Sequence, residues 1–155
     1  MNEKLKIAID ADDAATDLKK VIYEYLKGKG QDIVDLDYTK DAPAVYPEIG
    51  YHLAKKVQEG EFNRGILICG TGLGMAIIAN KVEGVYAGVC HDVYSAERLK
   101  KSNDANVLTM GARVIGTEHA KMVVDAWLAS EFSGGESTPK VDIMRKLEKE
   151  SFKRI

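Results

Sequence analysis

The pattern that most restricts this chain is an alternation. Short apolar runs of strand period are each followed by apolar residues at helical spacing, joined by a brief polar connection. Lys6 to Asp10 is the first run, ending in Ala11-Asp12-Asp13-Ala14-Ala15. Residues 16–29 read as an amphipathic helix with Leu18, Val21, Ile22, Tyr25 and Leu26 on one stripe and Gly28 and Gly30 as its stop. Asp32 to Leu36 is a second strand. A loop through Asp41-Ala42-Pro43 then leads to a helix with Pro47 in its first turn and Ile49, Leu53, Ala54 and Val57 facing in.

The third run, from Arg64 to Cys69, passes through a glycine-rich turn straight into a helix reaching Lys81. Val85 to Cys90 reads as a fourth strand, Tyr94 to Ser102 as a helix, Asn106 to Met110 as a fifth strand, and Thr117 to Ala129 as a helix carrying Trp127. Strand-helix alternation of this kind predicts an α/β fold: a three-layer αβα, Rossmann-like, doubly wound parallel sheet of five strands. Its 155 residues suit one domain spanning 1–155. The segment Phe132 to Pro139 breaks the pattern at Gly134-Gly135, and a tail helix resumes from Lys140 to about Arg154, with Val141, Met144, Leu147 and Phe152 on one stripe. Five strands and their helices already close the domain, so the tail, residues 135–155, is expected to pack on a second subunit rather than on its own core.

Charge excludes some functions. A net charge of −2 gives no basic field for nucleic acid or an anionic membrane. The start, Met1 to Lys6, leads into an apolar run too short for a signal segment or a membrane span, so a cytoplasmic protein is expected. The two cysteines, Cys69 and Cys90, form no Cys-x-x-Cys or Cys/His cluster, which argues against a disulfide framework or a zinc site. Cys90 reads as a small core hydrophobe. Cys69 abuts the glycine turn, where a helix start activates a thiol.

Ligands of doubly wound sheets bind beyond the carboxyl ends of the strands. That edge collects Asp12, Asp13, Cys69 to Gly74, His91, Asp92 and Gly111 to Arg113. Glycines 70, 72 and 74 leave backbone N–H groups uncovered where a helix begins, an arrangement suited to an anion. The turn is no dinucleotide fingerprint, because it follows the third strand and its third glycine comes too early, and it lacks the Gly-Lys-Ser/Thr of a P-loop. What remains is an anion hole with a nucleophile or base at its first residue and a hydroxyl two residues on.

Cys69-Gly70-Thr71-Gly72-Leu73-Gly74 followed by Ala79-Asn80-Lys81, then Tyr94-Ser95-Ala96, Asn103 to Leu108 and Gly111 to Gly116, resembles the type B ribose-5-phosphate isomerases and the related galactose-6-phosphate isomerase subunits. The likeness runs from Lys6 to about Lys149. It implies an aldose–ketose isomerase acting on a sugar phosphate without metal or cofactor, through a cis-enediolate. By the same resemblance Cys69 is the base, Thr71 assists proton transfer at the oxygens, and the backbone from Gly70 through Gly72 and Leu73 to Gly74 holds the enediolate oxygen. Asp12 contacts substrate hydroxyls and Tyr46 lines the pocket. Asn103 reaches the site from the neighbouring subunit, and Arg113 and Lys140 grip the phosphate. A homodimer or dimer of dimers with shared sites follows from this.

Three positions depart from the resemblance. Asp13 stands where the ribose enzymes usually have histidine, Ser102 replaces the ring-opening histidine, and Glu136 replaces a tail arginine. A carboxylate repels phosphate but accepts well from sugar hydroxyls. Without a histidine at 102 a cyclic sugar lacks its ring opener unless His91 or Asp13 does that work, so a short open-chain substrate such as a tetrulose phosphate, or a hexose phosphate, is expected in place of ribose 5-phosphate. His91 reads equally as an acid/base with Asp92 or as a hydrogen-bonded loop histidine. His52 and His119 have no expected role, and Lys100-Lys101 is a solvated helix end. Two other readings stand beside the enzyme: a weakly active or non-catalytic subunit of a two-chain isomerase, and a phospho-acceptor receiver, for which Asp12-Asp13 would hold magnesium but an acceptor aspartate is needed where Cys69 stands.

Overall fold

The computed structural model describes residues 4–153. It forms one five-stranded, wholly parallel sheet in the order β2-β1-β3-β5-β4, with helices on both faces. In chain order the strands are β1 Lys6–Ala11, β2 Asp32–Asp35, β3 Arg64–Cys69, β4 Ala87–Val89 and β5 Val107–Gly111. The helices are α1 Thr16–Gly28, α2 Tyr46–Gln58, α3 Leu73–Ala79, α4 Val93–Lys101, α5 Thr117–Leu128 and α6 Thr138–Phe152. The Rossmann-like αβα architecture expected from the alternation is the one seen.

Right-handed crossovers fix which face each helix takes. The chain steps outward from β1 to β2, back across to β3, on to β4 and inward to β5. That puts α1, α4 and α5 on one face and α2 and α3 on the other, as the two cores show. One core joins Ile7, Ile9, Ile66, Ile68, Leu108 and Met110 to Leu18, Ile22, Leu26, Val123 and Trp127. The other joins Ala8, Leu67, Cys69 and Val107 to Ile49, Leu53, Val57, Met75 and Ala79. Residues 66 and 68 face one way and 67 and 69 the other, the strand period directing alternate side chains to opposite cores. Each fully buried large aliphatic contributes about 1.5–3 kcal/mol of transfer free energy.

Two elements are shorter than the sequence predicts by more than one residue. β4 spans Ala87–Val89 rather than Val85 to Cys90. At its start the ladder is replaced by side chains: Asn80 takes the Ala87 N–H at 2.8 Å and donates to the Ala87 carbonyl at 2.9 Å, while Asn106 Oδ1 accepts from Tyr86 N–H at 2.9 Å. α3 stops at Ala79, before Asn80-Lys81, because that same asparagine has turned away to serve β4.

The expected break at Gly134-Gly135 is present, both glycines at positive φ, and a short 3-10 turn, Gly135–Ser137, opens into α6, which starts at Thr138, two residues before the expected Lys140. α6 rests on its own chain through buried Val141, an Arg145–Asp104 ion pair at 2.7 Å, and Glu148, which accepts from Gly84 N–H at 2.9 Å and from the Tyr86 hydroxyl. Ile143, Met144 and Leu147 stay exposed. The expected tail end at Arg154 lies outside the described residues, as does the chain start from Met1 to Glu3. Among the described residues no helix is long and apolar enough to cross a membrane.

Candidate active site

The direction of winding reverses between β1 and β3, so their carboxyl ends open a crevice. β1 delivers Asp12 and Asp13 to it and β3 delivers Cys69; the Asp12 N–H donates to the Ile68 carbonyl at 3.2 Å and holds the two ends together. A cleft of about 360 Å³ results, lined by Asp12, Asp13, Tyr46, Cys69, Gly70, Thr71, Gly74 and Arg113.

The turn after β3 is tightly determined. Cys69 is buried, and its Sγ accepts from the Gly72 N–H at 3.1 Å, which fixes the direction of the sulfur. Thr71 is exposed, and its Oγ1 accepts from Leu73 N–H at 3.3 Å. Gly72 sits at φ +80°, with its carbonyl held by the Thr109 hydroxyl at 2.9 Å; a side chain there would be strained and would collide with the Met110 backbone. The ladder of α3 begins with Ala76 N–H to Gly72 carbonyl at 3.1 Å, so the Gly74 and Met75 N–H groups lie ahead of the first intrahelical bond. α3 is only seven residues long, so the turn's own donors carry more of any anion contact than an aligned helix dipole does.

Tyr46 is the first residue of α2, whose start is held by Glu48 accepting from the Val45 N–H at 3.0 Å. That places its ring on Gly74, where an added Cβ would stand 2.5 Å from the ring. Arg113 follows β5; its N–H donates to the Gly70 carbonyl at 3.0 Å and its guanidinium lies over Gly70. Burial holds the Asp12 carboxyl above its ordinary range; the Ala14 N–H, donating at 3.1 Å, and Arg113 pull it down, and Asp13 pushes it up.

His91 shows the geometry of a loop histidine. Its Nε2 accepts from the Gly111 N–H at 2.8 Å, and burial holds the imidazole pKa below its usual value. Asp92 is not turned to it: that carboxylate caps α4, accepting from the Ser95 N–H and hydroxyl, both at 2.7 Å. The pair therefore makes no acid/base dyad here, and His91 is absent from the cleft lining.

Ser102, Asn103 and Lys140 are not brought to this cleft. α4 runs back against the strands, so Ser102 at its end and exposed Asn103 lie towards the amino ends of the strands. The elbow is tied there too, Ser133 N–H donating to the Lys101 carbonyl at 3.1 Å, and Lys140 is exposed in the first turn of α6. Cys90 is buried, its thiol pushed up to about 11 by burial first and by Asp92 second, as expected for a core residue. Among the described residues no three of His, Cys, Asp and Glu stand together as a metal-binding group.

Three buried charges, Asp10, Lys19 and Arg64, were not apparent from the sequence. Arg64 is 2% exposed and clamps the end of α5, donating to the Trp127 carbonyl at 2.6 Å and the Ser130 carbonyl at 2.7 Å. Lys19, 7% exposed, stands beside the site among three aspartates. Its place on the Leu18–Ile22–Leu26 side of α1 was the available signal.

The ribose/galactose isomerase family model matches residues 7–144. The chain belongs to the ribose/galactose isomerase family. It is 54% identical over 140 residues to a D-erythrulose-4-phosphate isomerase of Pectobacterium atrosepticum, covering 89% of this chain and 91% of that one. It is 46% identical over 147 residues to a ribose-5-P isomerase B of Listeria innocua, covering 95% and 99%. The solved ribose-5-phosphate isomerase B of Clostridium thermocellum superposes with a TM-score of 0.90 at 41% identity, over 95% of this chain and 99% of that one. The chain is thus an aldose–ketose isomerase of the sugar-phosphate class, and the receiver reading, which needed an aspartate at position 69, falls away.

Proposed function

We propose that the chain interconverts a tetrulose 4-phosphate and its aldose, with Cys69 as the base, and that ribose 5-phosphate is a poor substrate. The observation that carries this is the cleft wall. Adjacent carboxylates, Asp12 and Asp13, line the same cleft as the thiol and the glycine turn, and among the described residues no imidazole lines it. A sugar esterified at O4 cannot close a furanose, so it needs no ring opener. Ser102, where the resemblance would put the ring-opening histidine, is then no defect. The 54% identical relative named for D-erythrulose 4-phosphate supports the same reading.

In the ketose-to-aldose direction, Cys69 Sγ as thiolate removes a proton from C1, and the C1–H electron pair becomes the C1–C2 double bond as negative charge moves to O2. Donors of the Gly70–Gly74 turn stabilise that charge, a contact whose single donors are typically worth about 3 kcal/mol in such sites. Thr71 relays the O1 proton towards O2, and the thiol returns its proton to C2, leaving an aldehyde at C1. Asp12 and Asp13 accept from the sugar hydroxyls, while Arg113 holds the phosphate away from them.

Lys140 and Asn103 reach the substrate from a second copy, since their own chain places them away from its cleft. Exposed Leu73 and Ile77 on α3 and Ile143, Met144 and Leu147 on α6 give that copy apolar faces to cover. The test is the chain expressed alone, its mass measured, and its turnover of four- to six-carbon ketose and aldose phosphates compared. The expected result is a homo-oligomer with kcat/KM for the tetrulose phosphate at least about 100-fold above ribose 5-phosphate, roughly 2.7 kcal/mol of transition-state discrimination. Comparable ribose 5-phosphate turnover overturns the substrate; a folded but inactive chain that gains activity only with a paralogue favours the two-chain reading.

A further inference from the structure

Lys19 and Asp10 are buried, charged, and unused by the isomerisation itself. Asp10 is 1% exposed on β1, two residues before Asp12. Its Oδ1 accepts from the Ala11 N–H at 2.8 Å, and its Oδ2 reaches across to the Tyr38 N–H at 3.1 Å, in the loop after β2. Lys19 Nζ, arriving from α1, meets Asp35 at 3.0 Å, Asp10 at 3.5 Å and Asp37 at 3.8 Å. One carboxylate and one ammonium therefore join the strand end that carries Asp12 to the loop that ends at Tyr46.

The loop itself is held in a costly shape. Asp37 sits at φ +44°, a left-handed conformation that costs a non-glycine residue about 1 kcal/mol or more. It persists because Asp35 Oδ1 accepts the Asp37 N–H at 3.0 Å and the Asp37 carbonyl accepts from Lys40 N–H at 3.0 Å. This loop walls a second chamber of about 440 Å³, lined among others by Lys19, Asp37, Thr39 and Pro43. The chamber shares Asp12, Asp13 and Tyr46 with the candidate cleft and so adjoins it.

Buried ion pairs are seldom the most stable way to fill a core, since desolvation offsets most of the attraction. Burial raises the Asp10 carboxyl above its ordinary range against the Tyr38 and Ala11 N–H groups and Lys19 that lower it. At Lys19, burial works against the ammonium, but Asp35, Asp10 and Asp37 outweigh it and raise its pKa. Apolar side chains would fill the space without that opposition but would leave the Tyr38 N–H with no acceptor. The network's distinctive product is position.

We propose that Asp10, with Lys19 as its bridge, is a positioning residue of the isomerase: it pins the 37–45 loop to the end of β1 and thereby sets the spacing of Tyr46 from Asp12 across the substrate. Asp10 lines neither chamber and acts only through the loop.

The inference rests on the sugar-phosphate isomerase class and not on the choice of sugar. The kinetic test uses whichever sugar phosphate the parent turns over best, and the structural test uses the free protein, so an error about the tetrulose leaves both intact. Asp10→Asn keeps the shape but cannot accept both N–H groups and attract Lys19. The expected result is a KM about fivefold to tenfold higher with kcat within about twofold, the signature of lost binding geometry with intact chemistry. Amide hydrogen exchange of residues 38–46 accelerates at least about tenfold while the strands keep the parent's protection. Unchanged KM, a fall in kcat alone, or unchanged exchange in the loop overturns the proposal. Should Asp10→Asn not fold, the same readings on Asp35→Asn, which removes the nearest partner of Lys19 from a partly exposed position, decide it.

Discussion

Among single residues Cys69 carries the most specific expectation. It is buried at the end of β3 with its sulfur aimed by Gly72, so replacing it removes the proposed base without disturbing a charge pair. Cys69→Ala is expected to lower kcat by about 10²–10⁴-fold with KM little changed, and to abolish exchange of the substrate's carbon-bound proton with solvent, read by NMR in deuterium oxide. His91 makes a different prediction. It accepts from Gly111 N–H only when neutral, and burial depresses its pKa below 6.5 in the folded chain. The folded state then binds fewer protons than the unfolded one, so this contribution is complete above 6.5 and is lost as pH falls through the depressed value. Denaturation midpoints measured from pH 7.5 downward are expected to fall less steeply in His91→Gln than in the parent. The cysteine and the glycine turn were legible in the sequence because an apolar run stopped abruptly at them. The neutral, accepting role of His91 was not, because its partner lies twenty residues away on a neighbouring strand.

At the level of elements, the strands and helices were readable where their own residues decide them. β3 and α5 followed their apolar periods closely. β4 was misjudged because side chains from Asn80 and Asn106, outside the strand, take over its bonds. Arg64 is the clearest case of a charge whose role depends on another element: its place at the start of β3 names no partner, yet it donates to the Trp127 carbonyl at the end of α5 and to the Ser130 carbonyl beyond it, and stacks on Trp127. Arg64→Leu leaves the buried Ser130 carbonyl without a donor and the Trp127 carbonyl with the Ser130 N–H alone, and is expected to cost about 2 kcal/mol, read as a lower urea midpoint with an unchanged m-value. Lys19 follows the same logic on α1, where the stripe position was visible but its three aspartates were not.

For the whole molecule, the proposed shared site makes the cleft of one chain half of a larger arrangement. Asp12, Cys69, Thr71 and Arg113 stand at the carboxyl edge, while Ser102, Asn103 and Lys140 are carried elsewhere by α4 and α6. If two copies complete each other, a Cys69→Ala chain and an Asn103→Ala chain are each defective, but a mixed dimer holds one intact site. Unfolding and refolding an equimolar mixture is expected to restore about a quarter of parental activity, half the dimers being mixed with one good site of two. No recovery above the two separate variants would place Asn103 outside a shared site.

The sequence by itself determined the layers, the parallel sheet, the glycine turn after β3 and the family, since these follow from periods of two and 3.6, from glycines that only a tight turn requires, and from motifs in fixed order. Tertiary structure alone decided which charges were buried, which of the expected site residues share one cleft, and how the loop before Tyr46 is held. Those outcomes depend on residues far apart in the chain meeting across the sheet, where a hydrogen bond or a desolvated charge is settled by the partner it finds and not by its neighbours in sequence.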